Sequence, residues 1–141
     1  MKAPLNPSVA SARPAAAPLF LARISAGFPS PADDYVERAL DLNAHLVRNP
    51  AATFMVRVSG DSMTGAGILD GDILVVDRSE EATPGRIVVA VLDGELTVKR
   101  LQVRRGARLL VAENPRYPPV RVDPGQELRL WGVVVGVVRR T

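Results

Sequence analysis

The sequence predicts a mostly β fold, and three observations carry that prediction. Apolar residues make up 47% of the 141-residue chain and aromatics only 4%, much of the apolar content being Val, Leu and Ile, which suit a pleated, half-buried surface. The 12 prolines and 11 glycines divide the chain into short segments. Asp93-Gly94 stands between the runs I-V-V-A-V-L and E-L-T-V-K-R-L, and Asp-Gly is a preferred dipeptide of the two-residue type I′ hairpin turn. A chain of this length builds one domain with a substantial core.

Residues 1–32 are dominated by Ala, Pro and Ser, are broken by Pro4, Pro7, Pro14, Pro18, Pro29 and Pro31, and sustain no helical or strand period. They read as an extended arm, with residues 33–141 as the folded domain. From Asp33 to Asn49 the pattern allows a short helix, Asp41 serving as N-cap for Leu42 to Val47 and Asn49-Pro50 ending it. Strands are predicted at Thr53 to Val58, Ile73 to Val76, Ile87 to Leu92, Glu95 to Leu101, Arg108 to Ala112 and Leu128 to Arg139. A type I′ turn at Asp93-Gly94 pairs Leu92 with Glu95, Ala90 with Thr97 and Val88 with Lys99.

Composition excludes several functions. There is no cysteine, so neither a disulfide framework nor a thiolate zinc site is available. The longest apolar run, Trp131 to Val138, is eight residues, against about 20 for a membrane-spanning helix. The patch Pro18 to Ala22 is too short for a signal-peptide core, so a cytoplasmic protein is expected. The net charge of +3 from 18 basic and 15 acidic residues is mild for a DNA-binding protein. The first 50 or so residues are too broken by proline for a helix-turn-helix, and sequence-specific DNA binding is not expected.

The loop V-S-G-D-S-M-T-G-A-G-I-L-D-G-D holds two serines, Ser59 and Ser62. A serine attacks only when a base takes its proton. The lone histidine, His45, lies on the predicted helix with nothing tying it to the loop, which disfavours a Ser-His-Asp triad. The chain has two lysines, Lys2 in the arm and Lys99 in the hairpin. An unperturbed lysine, pKa near 10.4, is neutral at pH 7 in roughly one molecule in a few thousand, and burial raises that fraction. The pattern leaves two readings open: Lys99 as a desolvated base, or as a strand lysine with its head in water. It likewise leaves S-G-D-S-M as a reactive loop or a turn.

The order of motifs resembles the LexA/UmuD family of self-cleaving Ser-Lys peptidases. The motifs are G-F-P-S-P-A-D-D-Y-V-E (Gly27 to Glu37), D-L-N (Asp41 to Asn43), S-G-D-S-M (Ser59 to Met63), D-G-D-I-L-V-V-D (Asp70 to Asp77), D-G-E-L-T-V-K-R-L (Asp93 to Leu101) and W-G-V-V (Trp131 to Val134). The likeness runs from about Pro18 to Arg139, closest to the UmuD branch. It implies Ser62 as nucleophile, with Lys99 as general base 37 residues on. It places self-cleavage between Ala26 and Gly27, the arm being the substrate. Backbone N–H groups near Ser62 and Met63 would hold the oxyanion, and Thr97 is a candidate to hold the Lys99 amine. Ser59 falls to a loop residue, and Gly60 and Asp61 to shaping the loop.

The resemblance further implies a fold of twisted antiparallel sheets with a flexible N-terminal arm, a homodimer, and no cofactor or metal. Its partners would be a RecA-type recombinase filament on single-stranded DNA and an error-prone lesion-bypass polymerase. The chain departs from the UmuD branch in having Ala26 where cysteine is usual, as LexA does. It also has a longer Ala/Pro-rich extension to about Ala17 and a basic stretch V-R-R-G-A-R (Val103 to Arg108), either a solvated hairpin tip or a partner contact. Three alternatives remain at this level. A LexA-like repressor would need an N-terminal DNA-binding domain, for which the length before Gly27 leaves no room. A signal-peptidase-like enzyme would need a membrane anchor. A non-cleaving polymerase-accessory module would keep Ser62 and Lys99 without their chemistry.

Overall fold

A computed structural model describes residues 16–29 and 35–141. Lys2, most of the Ala/Pro-rich extension and the S-P-A-D-D stretch (30–34) lie outside the described residues. The chain divides into two compact units, Met1–His45 and Leu46–Thr141.

In the first unit, strand β1 (Ala17–Phe20) pairs antiparallel with β2 (Val36–Leu40), and helix α1 (Leu42–Leu46) begins there. Asp41 caps α1, its Oδ1 accepting from the Asn43 amide at 2.9 Å and the Ala44 amide at 3.4 Å, as its position in the sequence predicts. The two strands are a correction to the sequence reading, which saw no period near Pro18 and allowed only helix after Asp33. By propensity V-E-R-A-L favours helix, and pairing with a partner strand overrides that preference.

The second unit is a seven-stranded antiparallel sheet in the order β3-β4-β9-β5-β6-β7-β8. Its strands are β3 (Thr53–Arg57), β4 (Ile73–Asp77), β5 (Ile87–Leu92), β6 (Glu95–Arg104), β7 (Ala107–Val111), β8 (Val120–Arg121) and β9 (Leu128–Val138). All six predicted strands are present, and the short β8 was not anticipated. Leu92, Ala90 and Val88 pair with Glu95, Thr97 and Lys99 as the turn dipeptide predicts, and Asp93 and Gly94 take φ of 50° and 84°.

The last strand returns to the middle of the sheet, so β4 and β5 have neighbours on both sides and read as nearly unbroken apolar runs. Alternation along β5 feeds two cores: Val89 joins Val58, Met63, Ile68, Leu74 and Val76, while Val88 and Ala90 join Leu101, Leu110, Val122 and Val133. Along β9 the register slips at Trp131 and at Val135, each an extra residue against its partner strand. Such bulges bend and twist a sheet. Glycine follows both, and a Cβ on Gly132 would stand 2.7 Å from Val76 Cγ1.

Candidate active site

The loop between β3 and β4 is closed at its neck by two backbone bonds, Val58 N–H to Asp72 O and Gly71 N–H to Val58 O, both 2.8 Å. Gly60, at φ 100°, makes the turn, and its amide donates to Asp70 Oδ1 at 2.7 Å. Beyond it Met63 and Ile68 are each 1% exposed and pack into the first core. The alternation in S-M follows: the Met63 side chain anchors the loop inward while Ser62, half-buried, faces the cavity. Among the described residues, neither the Ser62 nor the Met63 amide donates to a backbone acceptor, so both N–H groups are available to an anionic oxygen.

Lys99 comes from β6. Partner strand β7 pairs with β6 only from Arg100 onward, which leaves Glu95 to Lys99 as an edge with β5 on one side. Lys99 Nζ reaches Thr97 Oγ1 at 2.8 Å, Ser62 Oγ at 3.2 Å and the Val98 carbonyl at 3.2 Å. Nζ can donate to all three oxygens when charged; once neutral it keeps two N–H groups for Thr97 and Val98 and offers a lone pair to the Ser62 hydroxyl proton. Burial pushes the Lys99 pKa below its ordinary value, and no carboxylate among the described residues pairs with it. A cavity of about 220 Å³ beside the pair is lined by Val58, Leu74, Val89 and Leu96 as well as by Ser59, Ser62, Thr97 and Lys99. This arrangement can activate a serine hydroxyl and receive a small apolar side chain.

Several residues that brace the loop escaped the sequence reading. Asn114 Nδ2 donates to the Asp61 carbonyl at 2.9 Å, and the Tyr117 hydroxyl donates to Asp61 Oδ1 at 2.5 Å. The Asp61 carboxylate, as acceptor, raises the Tyr117 pKa. The Gly65 amide donates to the Glu113 carbonyl at 2.7 Å, and Glu113 is itself ion-paired with Arg100, the neighbour of Lys99. On the other side Asp72, 2% exposed, accepts from Arg139 Nε at 2.7 Å, Arg139 Nη2 at 2.9 Å and the Leu69 amide at 2.7 Å. The Arg139 hydrogen bonds, then the Leu69 bond, hold the Asp72 pKa below the usual carboxylate value. The available signals were weak: an Asp at the head of an apolar run, and the polar interruption E-N-P-R-Y after β7.

Ser62, Met63, Thr97 and Lys99 are thus brought together. Ser59 lines the same cavity but is exposed. Ala26 and Gly27 are exposed in the first unit, where the Gly27 amide donates to Ser25 Oγ at 3.2 Å. His45 is an exposed residue of α1. Among the described residues, no helix is long and apolar enough to cross a membrane.

The Peptidase S24-like family profile matches residues 18–135. Protein SamA of Salmonella typhimurium is 51% identical over 125 residues, covering 89% of this chain and 86% of that protein. Protein MucA of Escherichia coli is 47% identical over 135 residues, covering 95% and 92%. The LexA repressor of Cupriavidus taiwanensis is 45% identical over 117 residues, which are 83% of this chain and 54% of the repressor.

Proposed function

The chain belongs to the Peptidase S24-like family, and from that membership we propose that it is a self-processing serine peptidase of the SOS response to DNA damage. Ser62 is the nucleophile and Lys99 its general base. The observation that carries this reading is the 3.2 Å approach of Lys99 Nζ to Ser62 Oγ, with the amine partly desolvated and bound otherwise only to neutral oxygens.

The substrate bond is Ala26–Gly27. Ser62 Oγ attacks the Ala26 carbonyl carbon as its proton passes to Nζ, and the Ser62 and Met63 amides stabilise the oxyanion. Collapse breaks the C–N bond, Nζ returns the proton to the Gly27 nitrogen, and an Ala26 ester on Ser62 remains. Water, deprotonated by Nζ, hydrolyses the ester and leaves an Ala26 carboxylate and a free Gly27 amine. Small residues on both sides of the bond suit a narrow cleft. Thr97 keeps Nζ aimed at Ser62 throughout. No step calls for a metal or cofactor.

Cleavage removes residues 1–26 of the arm (residues 1–32), and residues 33–141 are the part that does the chemistry. A RecA-type filament on single-stranded DNA stimulates cleavage by favouring a docked arm, since the reacting groups all belong to this chain. The processed homodimer serves in the cytoplasm as accessory subunit of an error-prone lesion-bypass polymerase.

Intact mass spectrometry tests the chemistry. Wild type, Ser62→Ala and Lys99→Ala are incubated at pH 7 and at about pH 10, where more lysine is neutral. Wild type alone is expected to lose residues 1–26, about tenfold faster per pH unit until the lowered Lys99 pKa is passed. If all three stay whole at both pH values, and also with recombinase, nucleotide and single-stranded DNA, the chain is a non-cleaving accessory module.

A further inference from the structure

The basic stretch V-R-R-G-A-R has no part in peptidase chemistry. It forms the tip of the β6–β7 hairpin, turning through Arg105 and Gly106 at φ of 52° and 78°. A type I′ turn needs positive φ at both central residues, for which Asn, Asp and Gly are preferred. The hairpin between β5 and β6 obeys that preference with Asp93 and Gly94 at φ of 50° and 84°. Arg105 does not, and a long side chain held in the left-handed region at an exposed turn points to use of the side chain rather than to folding.

Charge at the tip is unbalanced. Arg104, Arg105 and Arg108 are exposed, and none pairs with a carboxylate among the described residues. Val103 to Arg108 carries three arginines and no acid, as much net charge as the +3 of the whole chain. Beside the turn lies a cavity of about 330 Å³ lined by Arg105, Arg108 and Arg121 together with Asp123 and Gln126. Asp123 is the one carboxylate of that lining, 3.7 Å from Arg121.

Guanidinium groups match phosphate oxygens in a planar, two-pronged fashion. A single strand would want rings on which bases stack; no aromatic residue lines this cavity. A duplex backbone needs only positive charge at reach. We propose that Arg104, Arg105, Arg108 and Arg121 form a contact surface for the phosphate backbone of duplex DNA, without regard to base sequence.

Fluorescence anisotropy of the full chain on a labelled 20-base-pair duplex tests this. With four phosphates neutralised, affinity should fall about 150-fold between 50 and 200 mM NaCl. The combined variant Arg104→Gln, Arg105→Asn, Arg108→Gln should bind at least about tenfold more weakly at 50 mM and flatten the salt slope by about 2.7. A control of equal net charge, Arg48→Gln, Arg129→Gln, Arg140→Gln, should stay within about threefold of wild type. Binding by the tip variant within twofold of wild type, or an equal loss in the control, overturns the proposal. So does tighter tip-dependent binding to the single-stranded 20-mer or to polyglutamate, which would assign the tip to a single strand or an acidic protein instead.

Discussion

The Ser62 loop and the Lys99 strand solve one problem in different ways. Ser62 sits in an irregular loop whose shape depends on its own Asp70 and Asp72 and on bonds from distant residues: Glu113, Asn114 and Tyr117 after β7, and Arg139 beyond β9. Lys99 sits on a regular strand whose six cross-strand pairs with β5 set its place. The loop is therefore sensitive to single substitutions at its braces. The strand spreads the same task over a ladder in which no single pair is decisive.

Gly65→Ala should produce the largest separation between the two. A Cβ there would lie 2.6 Å from the Glu113 carbonyl oxygen, a backbone atom that cannot swing aside. Overpacking of this kind costs about 1–3 kcal/mol, measurable by urea denaturation. Displacement of the Ser62 loop should slow self-cleavage on the order of 100-fold. An unchanged cleavage rate would mean that the loop is not positioned through Gly65.

Acid sensitivity sharpens the contrast next. Asp72 on the loop and Asp77 on β4 both have pKa values below the ordinary 3.8, Asp72 chiefly through Arg139 and Asp77 chiefly through Asn49. A carboxylate with a depressed folded pKa adds stability that is complete above its unfolded value and is lost as pH falls through the folded one. Wild-type stability should accordingly drop as pH falls below 3.8. Asp72→Asn should be less stable at pH 7 and should show a shallower acid decline. A parallel curve in thermal unfolding between pH 2 and pH 7 would remove Asp72 from the account.

Gly94→Ala should have the smallest effect on chemistry. It places a side chain at φ 84°, a cost of about 1 kcal/mol. Cleavage per folded molecule should stay within about twofold of wild type, because the ladder from Leu92–Glu95 to Ile87–Arg100 survives. A loss comparable to that of Gly65→Ala would show that strand register is as fragile as the loop.

The Lys99 strand is legible in the sequence, since Asp93-Gly94 specifies a turn and the turn specifies which residue faces Lys99. Asp41 is legible as a cap for the same local reason. The braces are not. Asn114, Tyr117 and Arg139 act across 53, 56 and 67 residues, and a single polar residue in a polar segment has no periodicity to mark it. The β1–β2 pair is hidden because proline-interrupted sequence carries no alternation, and pairing there is decided by the partner strand.

By itself the sequence determined what near neighbours determine. Side-chain alternation specifies the strands, turn dipeptides specify the register, and the motifs resemble a Ser-Lys peptidase. Only the tertiary structure decided that Lys99 Nζ meets Ser62 Oγ at 3.2 Å and that its three contacts are all neutral oxygens. The physical reason is that a lowered lysine pKa is a property of surroundings. Desolvation comes from chain segments folded against the amine, and no residue type or spacing encodes it until the sheet has closed.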